Sequence, residues 1–500
     1  MTFLPIVERE LRVATRRKRT FYIRWVIALI SVLAGGMALF IMLLTGSPAN
    51  QTGIAIFDIL SCYLLVLCLL GGFFLAADCL SEERREGTLG LLFLTDLKGY
   101  DIVLGKLLAV SLNAFYGLLA VFPILGLSII IGGVSGTEFW RVCLGLLNAL
   151  WFSVTLALWA SARSESSSRA GGLWCAGFLV FNGLGPGLGS LFPTLTHPFD
   201  PTMVGAISAF VYARENFYLV TPGKFWISLT LSNLLGWLFL SGASRRLEKF
   251  TELVSSPYQG RWWQKVFQSN FFLGKRRRLR ALLEKNPILW LLNDSPRLQL
   301  TIWTLTTIGC ALLVGCAYAE FADGPELIYA VKPVYAVLQI LFAMQACRFF
   351  ADSRRDGTLE IIATTPLTDS IVYYGQAAAL LQQFLWPVVA LMAVEFICVC
   401  GLAIAGSGGD VMTLLFLLPW QLLSCAAEFY AVAWFAMWLA LTSKKPQSAA
   451  GWTVLFVLIL PELAFCIPSF FISLAFILVC QHKLRRDFRL VFADAEARRR

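Results

Sequence analysis

The chain has 500 residues, of which 58% are hydrophobic and only 14% charged, and its mean hydropathy is +0.71. This composition excludes a set of soluble domains and indicates that a lipid bilayer is the solvent. The 41 Lys and Arg residues outnumber the 31 Asp and Glu residues. Because the bases are clustered, we interpret the excess first as membrane topology rather than as affinity for nucleic acid.

The N-terminus predicts a retained membrane anchor rather than a cleaved signal. Seven bases lie between Met1 and Arg24, and the apolar run that follows, Trp25 to Leu44, is too long for a signal peptide. Ahead of it, apolar residues recur every three or four positions, which favours a helix lying in the membrane interface. These residues are Leu4, Val7, Leu11 and Ala14.

Long apolar segments follow one another along the chain. Since about 20 residues cross the bilayer as a helix, we expect six crossings in each half. The segments of the first half are 24–45, 54–77, 102–131, 138–161, 170–193 and 223–244. Those of the second half are 298–318, 329–350, 371–404, 412–441 and 449–480. The last contains Pro461 and Pro468, so it is either two short crossings or one crossing and a re-entrant piece.

Positive charge assigns the sides of the membrane. The segment from Met1 to Arg24, the segment 245–297 and the tail from Lys483 together hold 26 of the 41 bases, so we expect all three to face the cytosol. The segment 186–222, expected outside, carries a single base. With both termini inside the number of crossings is even, and the last apolar segment should cross out and back.

A repeat lies in the polar segments, where the shared apolar character of membrane helices cannot produce it. When the segment 84–105 is aligned with the segment 354–375, eight positions are identical, against about one or two expected by chance. The identical positions are Arg84, Arg85, Gly87, Thr88, Leu89, Thr95, Leu97 and Gly105 in the first copy and Arg354, Arg355, Gly357, Thr358, Leu359, Thr365, Leu367 and Gly375 in the second. We therefore predict two copies in the same orientation, related by a pseudo-two-fold axis along the membrane normal.

The predicted fold is an all-α polytopic membrane protein with about 12 transmembrane helices in a 6+6 parallel tandem repeat. A first six-helix unit with the interfacial helix occupies 1–245, a basic cytosolic connector 246–285, a second six-helix unit 286–484 and a charged cytosolic tail 485–500. Bases alternate with aromatic residues in the connector, a pattern that fits anionic lipid or nucleic acid. Beside a membrane we favour lipid and expect no nucleic acid partner.

The repeated segment must lie in water. Nine charges stand between Asp78 and Asp101, and each would cost about 2.5–3.5 kcal/mol at the bilayer centre. The layout predicts a charged helix that continues out of the second span, a corner at Gly87 and a short apolar helix from Leu89 to Leu94 with Thr88 as its N-cap. We call residues 84–97 the first elbow and residues 354–367 the second elbow.

Each elbow is predicted to end at a new helix cap and to present an apolar ridge. The cap of the third span is expected near Gly99 to Asp101, and Gly357 with Thr358 repeats the corner in the second copy. The ridge residues are Leu89, Leu91, Leu92 and Phe93 in the first elbow and Leu359, Ile361 and Ile362 in the second. An apolar ridge flanked by charge docks a cytosolic partner or lies on lipid headgroups, and its duplication favours a two-fold partner.

These residues resemble a known family. The run Ser81 to Leu89, with Thr95, Leu97 and the run Ile102 to Lys106, is similar to the signature segment of type 2 ABC transporter permeases (ABC-2). That group includes permeases labelled for multi-copper enzyme maturation and for gliding motility. In the family, this segment joins the second and third spans and forms the coupling helix that is seated on an ATPase subunit. The resemblance covers nearly all of both halves.

The resemblance implies that this chain is the permease subunit of an ATP-driven exporter in a bacterial-type plasma membrane, with cytosolic termini. Two cytosolic ABC ATPase subunits would hold the ATP and Mg. The coupling residues it implies are Glu83, Arg84, Arg85, Glu86, Gly87, Thr88 and Leu89 and, by the repeat, Arg354, Arg355, Asp356, Gly357, Thr358 and Leu359. The second copy departs from the pattern: Asp352-Ser353 replaces Glu82-Glu83 and Gln376 replaces Lys106, which weakens the expectation for its ATPase contact.

The sequence lacks the Gly-x-x-x-x-Gly-Lys-Ser/Thr pattern of a phosphate-binding loop. We therefore expect ATP hydrolysis on a separate chain, and in this chain neither an enzyme activity nor a cofactor. The 13 Cys residues lie in or beside apolar runs, and the two His residues are His197 and His482. This distribution lacks the spacing of metal ligands, so no metal site is predicted.

Three acids lie inside apolar stretches of the second copy, namely Glu395, Glu428 and Glu462. An ionisable group within the membrane is a candidate for a transport path. The sequence leaves the alternative open that each one binds a neighbouring helix or reaches an interface.

The main rival hypothesis is a proton-coupled secondary transporter of the major facilitator type, which also has a 6+6 parallel repeat and a basic middle loop. Its repeated motif needs Gly and bases directly after an acid. Here Asp78 is followed by Cys79-Leu80-Ser81, and the aligned position of the second copy is Arg348. A membrane-embedded enzyme is the third hypothesis, and the sequence has no nucleophile–base pair that supports it.

Overall fold

The structure, a computed structural model, describes residues 8, 12, 18–44, 46, 48–85, 98–164, 167–191, 205–254, 287–292, 296–318, 324–355, 357–364, 368–404, 411–442, 446–463 and 469–497. Every regular element within these ranges is a helix. The chain divides into two compact units, Met1–Glu252 and Leu253–Arg500. Of the predicted interfacial helix, only Glu8 and Arg12 belong to the described residues, and these two form an ion pair one helical turn apart.

The helices of the first unit are α1 (Lys18–Leu44), α2 (Ala49–Ala76), α3 (Cys79–Arg85), α4 (Gly99–Leu119), α5 (Phe122–Ile131), α6 (Gly136–Arg163), α7 (Ser167–Leu191), α8 (Ala206–Tyr212), α9 (Glu215–Tyr218) and α10 (Pro222–Val254). A two-residue turn separates α2 from α3, so the charged segment extends the second span as predicted. Between α4 and α5 the helix breaks just before Pro123, whose missing N–H is harmless in a first turn.

The helices of the second unit are α11 (Pro287–Leu292), α12 (Pro296–Tyr318), α13 (Gly324–Arg355), α14 (Thr358–Thr364), α15 (Asp369–Ile404), α16 (Val411–Thr442), α17 (Pro446–Thr453), α18 (Leu460–Leu463) and α19 (Ser469–Ala497), with a π-helical segment at Val454–Ile459. Pro387 lies inside α15 and Pro419 inside α16. Membrane helices tolerate such prolines because neighbouring groups satisfy the freed carbonyls.

Nine stretches of described helix are long and apolar enough to cross a membrane, five in the first unit and four in the second. The prediction of an all-α, multi-pass membrane protein is confirmed, while the total of twelve crossings and the 6+6 symmetry stay predictions. Where the span 170–193 is predicted, α7 forms but is not among the nine. Its many glycines, together with Asn182 and Pro186, lower its mean hydropathy.

The ambiguous segment 449–480 forms two shorter apolar helical stretches, Ser448–Ile459 and Ser469–Leu484. The first contains the π-helical turn, a form that is rare and usually short. The second stretch continues as α19 to Ala497, so the backbone has no break at the start of the predicted tail. Both short stretches fit the prediction of two short helices, and their crossing of the membrane stays a prediction.

In each unit the second span packs against the fourth, α2 against α6 and α13 against α16. In the first unit small residues line this contact: a β-carbon at Gly72 would lie 2.6 Å from the hydroxyl oxygen of Ser153, which donates to the carbonyl of Leu69. Trp174 in α7 donates its indole N–H to the carbonyl of Ser153 at 3.2 Å. Small residues and interhelical hydrogen bonds are what hold helices together in lipid. The fourth span is thus the fixed element against which the elbow-bearing second span is placed.

Candidate functional site

The approach to the first elbow is anchored on the fourth span. The hydroxyl oxygen of Ser161 in α6 accepts hydrogen bonds from the backbone N–H groups of Leu80 and Ser81, each at 3.1 Å. These two N–H groups lie in the first turn of α3, where a helix has no partners of its own. A side chain of α6 therefore caps α3 and fixes the place where the chain leaves the second span.

A buried ion pair ties the same helix to the third span. Lys106 Nζ in α4 lies 2.6 Å from Glu83 Oε1 in α3, and the two side chains are only 10% and 15% exposed. Removal of one partner from a buried ion pair typically costs about 3–5 kcal/mol, because the other charge stays buried. Among the predicted coupling residues, Glu83 is thus directed at its own unit.

The exit from the first elbow has the cap that the sequence predicts. The backbone N–H of Lys98 donates to Asp101 Oδ2 at 3.2 Å, and α4 begins at Gly99. A β-carbon at Gly99 would lie 2.9 Å from the carbonyl oxygen of Ser244 in α10. Glycine is therefore required for α4 to start against the last helix of the unit.

The second elbow has the predicted corner and short helix. Gly357 has a φ of +72°, a left-handed conformation that glycine adopts without strain. The short helix α14 begins at Thr358, whose hydroxyl donates to the carbonyl of Ser353 at 3.3 Å. This bond joins the two sides of the corner.

The apolar ridge of the second elbow is narrower than predicted. Ile361 is 66% exposed, but Leu359 is only 3% exposed. Residues two positions apart on a helix point to nearly opposite faces. The prediction that Leu359 and Ile361 form one exposed ridge is therefore wrong. Leu359 anchors α14, and among the described side chains of the ridge Ile361, with the half-buried Ile362, reaches the surroundings.

The described arginine of the second elbow also faces its own unit. The guanidinium of Arg354 donates to the carbonyl of Leu441, in the last turn of α16. A cation at this position satisfies an end carbonyl and complements the helix dipole. Both elbow approaches are thus bonded to the C-terminal end of the fourth span, in the first unit through Ser161 and in the second through Leu441.

Several predicted coupling residues lie outside the described residues: Glu86, Gly87, Thr88, Leu89 and Asp356. Arg85 and Arg355 end α3 and α13, and only their backbones are described. Arg84 is partly buried in α3. Their role as ATPase contacts stays a prediction.

Two of the three membrane acids, Glu395 and Glu428, accept hydrogen bonds from neutral side chains of neighbouring helices. Glu395 in α15 is fully buried; Tyr335 in α13 donates its hydroxyl to Oε2 at 2.7 Å, and Gln421 in α16 donates an amide N–H to Oε1 at 3.3 Å. Gln339, one turn along α13, donates to Glu428 Oε2 at 3.0 Å. The third acid, Glu462, lies in α18, with its side chain outside the described part.

An arginine holds the segment between the fifth and sixth predicted spans of the first unit. Arg214, in the turn between α8 and α9, forms an ion pair with Asp58 and donates to the hydroxyl of Ser61 at 2.8 Å, both in α2. Burial lowers the pKa of Arg214 to about 10, which leaves it charged at neutral pH. A second pair, Arg141 with Glu215, joins α6 to α9. The segment is therefore fixed to the second and fourth spans.

In the first unit the helix that leads into the elbow and the cap that follows it are described, and a comparison of families decides the identity. Residues 4–238 match the family model described as ABC-2 family transporter protein. This part of the chain belongs to the ABC-2 family. The match lies within the first unit and includes the whole first elbow. A comparison with curated proteins gives no match.

Membership makes residues 4–238 a membrane permease domain of an ABC transporter, in a multi-pass membrane protein. ABC-2 permeases normally work with cytosolic ABC ATPase subunits. The expected resemblance to the type 2 permeases is therefore confirmed for the first half, while the likeness to copper-maturation permeases and the fused tandem stay predictions.

Sequence reasoning missed the partners that position the permease's polar groups. A lysine inside the apolar third span signals that Lys106 needs a buried acid, but the sequence does not say which one. Tyr335 and Gln339 stand four residues apart, and Gln421, Ser424 and Glu428 stand three and four apart. This spacing of polar residues on one helix face is the signal that was available.

Proposed function

We propose that the chain is the membrane-spanning permease subunit of an ATP-driven ABC-type exporter, worked through its two elbows by separate ATPase subunits. The observation that carries the proposal is the family match over the first elbow, whose approach helix α3 is bonded to two different spans. Movement of this elbow is transmitted to α6 through Ser161 and to α4 through Lys106. Movement of the elbow would therefore act on two spans, α6 and α4.

The second elbow is proposed as the docking point of a second ATPase subunit. Its support is the polar pattern shared by the segments 84–105 and 354–375, the corner at Gly357 and the exposed Ile361. An apolar side chain at the tip and charged residues at the base suit insertion into a cleft of a partner. In this proposal ATP and Mg are bound by the ATPase chains, and the permease itself performs no catalysis.

Closure of the ATPase subunits on ATP would move both elbows and tilt the helices that are bonded to them. This tilt would alternately open and close a transport path or a lateral gate. The proposed setting is a bacterial-type plasma membrane with both termini cytosolic and anionic lipid against the connector 246–285. The segment held by Arg214 then lies on the outer side. Glu395, Glu428 and Glu462 are the proposed polar groups of the transport path.

Site-directed photo-crosslinking tests the docking. A photoreactive amino acid is placed at Thr88 and, in a second variant, at Thr358, in the full chain within its native membrane. We expect both to crosslink to a cytosolic ATPase. Trp140 is the matched control, because it is 66% exposed at the end of the fourth span that is predicted outside. Its variant should not crosslink to any ATPase.

Absence of an ATPase from a mild-detergent pull-down, together with no crosslink from either elbow, would contradict the proposal.

The source of energy gives an independent test. Collapse of the proton gradient at constant ATP should leave the permease active, whereas a facilitator would stop at once.

A further inference from the structure

Glu395 and Glu428, the two membrane acids whose side chains are described, lie on one polar path between α13, α15 and α16. Tyr335 and Gln339, which bind Glu395 and Glu428, are one turn apart on α13. Four residues of helix rise by about 6 Å. On α16 the other donor to Glu395, Gln421, lies seven residues before Glu428, a rise of about 10 Å. The two carboxylates are therefore separated along the bundle by one to two helical turns.

The fully buried acid lacks a basic partner. Within the described part of the chain, the hydrogen-bond donors to Glu395 are a phenol and an amide, and no lysine or arginine forms an ion pair with it. A buried carboxylate without a counter-charge is costly in a low-dielectric bundle. A positive ligand would supply the counter-charge that the described residues do not.

A buried hydroxyl next to the acids is unused. Ser424 is only 8% exposed, and its Oγ has no hydrogen-bond partner among the residues that the structure describes. It lies between Gln421 and Glu428 on the same face of α16, three residues after the first and four before the second. A buried hydroxyl is normally bonded to protein or water, so this one points to a ligand that accepts or shares its bond.

Aromatic rings lie next to this polar path. Phe342, one turn beyond Gln339 on α13, packs edge to face against Phe384 and Phe429, with ring centroids 5.0 and 5.4 Å away. Phe429 directly follows Glu428 in α16. Aromatic faces attract organic cations and also pack against an alkyl chain, whereas a small inorganic ion prefers a full set of oxygen ligands.

We propose that this part of the second unit is a binding site for an alkylammonium group, whose charge lies between Glu395 and Glu428 and whose alkyl body lies against Phe342, Phe384 and Phe429. The Ser424 hydroxyl and the Tyr335 phenol complete the shell around the ammonium. As a statement about cargo, this rests on the proposed export function and names a cationic amine as the class of substrate. As a statement about binding, it concerns this chain alone.

Thermal unfolding of the full chain in lipid nanodiscs, without ATP, tests the site. The probe is n-butylammonium chloride, and the matched controls are n-butanol, which lacks the charge, and sodium chloride, which lacks the alkyl group. A ligand of the folded state raises the unfolding temperature in proportion to the logarithm of its concentration once it exceeds the Kd. We expect a rise with butylammonium that follows this logarithmic dependence, and none with either control.

Three variants locate the effect. Glu395→Gln keeps an acceptor for Tyr335 but removes the charge, and Glu428→Gln does the same for Gln339; each should weaken butylammonium binding by at least about tenfold. Ser424→Ala removes a hydroxyl that bonds to nothing described, so it should leave the unfolding temperature without ligand unchanged and weaken binding about threefold.

A rise of equal size with sodium chloride or butanol, or unchanged butylammonium binding in Glu395→Gln, would overturn the assignment. No ATPase is present in the measurement. Loss of the crosslinks at Thr88 and Thr358 would therefore overturn the coupling proposal while leaving this binding result intact, and the reverse holds as well.

Discussion

The two elbows share their attachment to the fourth span but differ in their attachment to the third. In the first unit Glu83 and Lys106 form a buried ion pair. The aligned positions of the second unit are Ser353 and Gln376, and Gln376 donates instead to the carbonyl of Ala346 in α13 at 2.6 Å. Both members of the charged pair are replaced by neutral residues at once.

This double replacement shows why the second unit departs from the pattern of the first. A single neutral substitution would leave one charge buried, whereas loss of both is often neutral for stability. The approach to the first elbow is therefore joined to the third span by charge, whereas the aligned residue of the second unit's third span forms a neutral hydrogen bond with α13. Four single substitutions and one double variant test how much this difference matters, beginning with the largest expected effect.

Lys106→Met should destabilise the chain by about 3–5 kcal/mol, because Glu83 keeps its charge in a mostly buried position without its lysine. Denaturant titration in detergent micelles measures the loss. Lys98→Met is the matched control, since that side chain is exposed, and it should change stability by less than about 0.5 kcal/mol.

The double variant Glu83→Ser/Lys106→Gln, which copies the second unit, should recover most of the stability lost in Lys106→Met. A double variant as unstable as the single one would show that the ion pair itself, rather than the stranded charge, holds α3 to α4.

Leu359→Ala should cost about 2–5 kcal/mol, because the side chain is buried where α14 packs on its unit. Ile361→Ala in the same helix is the matched control for stability, with an expected change below about 0.5 kcal/mol. In a pull-down it is Ile361→Ala that should lower recovery of the proposed ATPase partner, because Ile361 is exposed at the tip of the elbow. Equal effects of the two variants on stability would contradict the inward orientation of Leu359.

Gly357→Ala should cost about 1–2 kcal/mol, since any other residue is strained at a φ of +72°. Gly401→Ala serves as the comparison, because Gly401 lies in the helix α15 with nothing within 4 Å of an added β-carbon. That change should stabilise by about 0.5–1 kcal/mol. Melting curves of the two variants should therefore shift in opposite directions, and a shift in the same direction would argue against a left-handed corner.

Local patterns in the sequence were enough to predict the corner and the caps. Gly357 marks a left-handed residue, and Asp101 two residues after Gly99 marks a helix start, because glycine and capping acids act within a few residues of themselves. The ridge was mispredicted although the needed rule is local: Leu359 and Ile361 are two positions apart, and a helix turns them to opposite sides.

The contacts that hold the elbows depend on which helices meet and were beyond the sequence. Ser161 in α6 reaches the distant helix α3, and Arg354 reaches Leu441 across a similar separation along the chain. Apolar spans of similar composition allow many pairings of helices, so hydropathy alone cannot choose the partner of Lys106. The same holds for Glu395, whose donor Tyr335 lies 60 residues earlier.

Gln376→Leu is expected to have the smallest effect of the four single substitutions, within about 1 kcal/mol of the parent. The change removes one hydrogen bond to the carbonyl of Ala346, but it also removes a buried Oε1 that has no hydrogen-bond partner among the residues described. The two terms oppose each other, unlike those at Lys106, where removal takes the lysine from a charged and mostly buried Glu83. If Gln376→Leu instead costs as much as Lys106→Met in the same titration, the neutral bond is as important to the second elbow as the ion pair is to the first. The contrast between the two units would then lie only in the kind of bond and not in its strength.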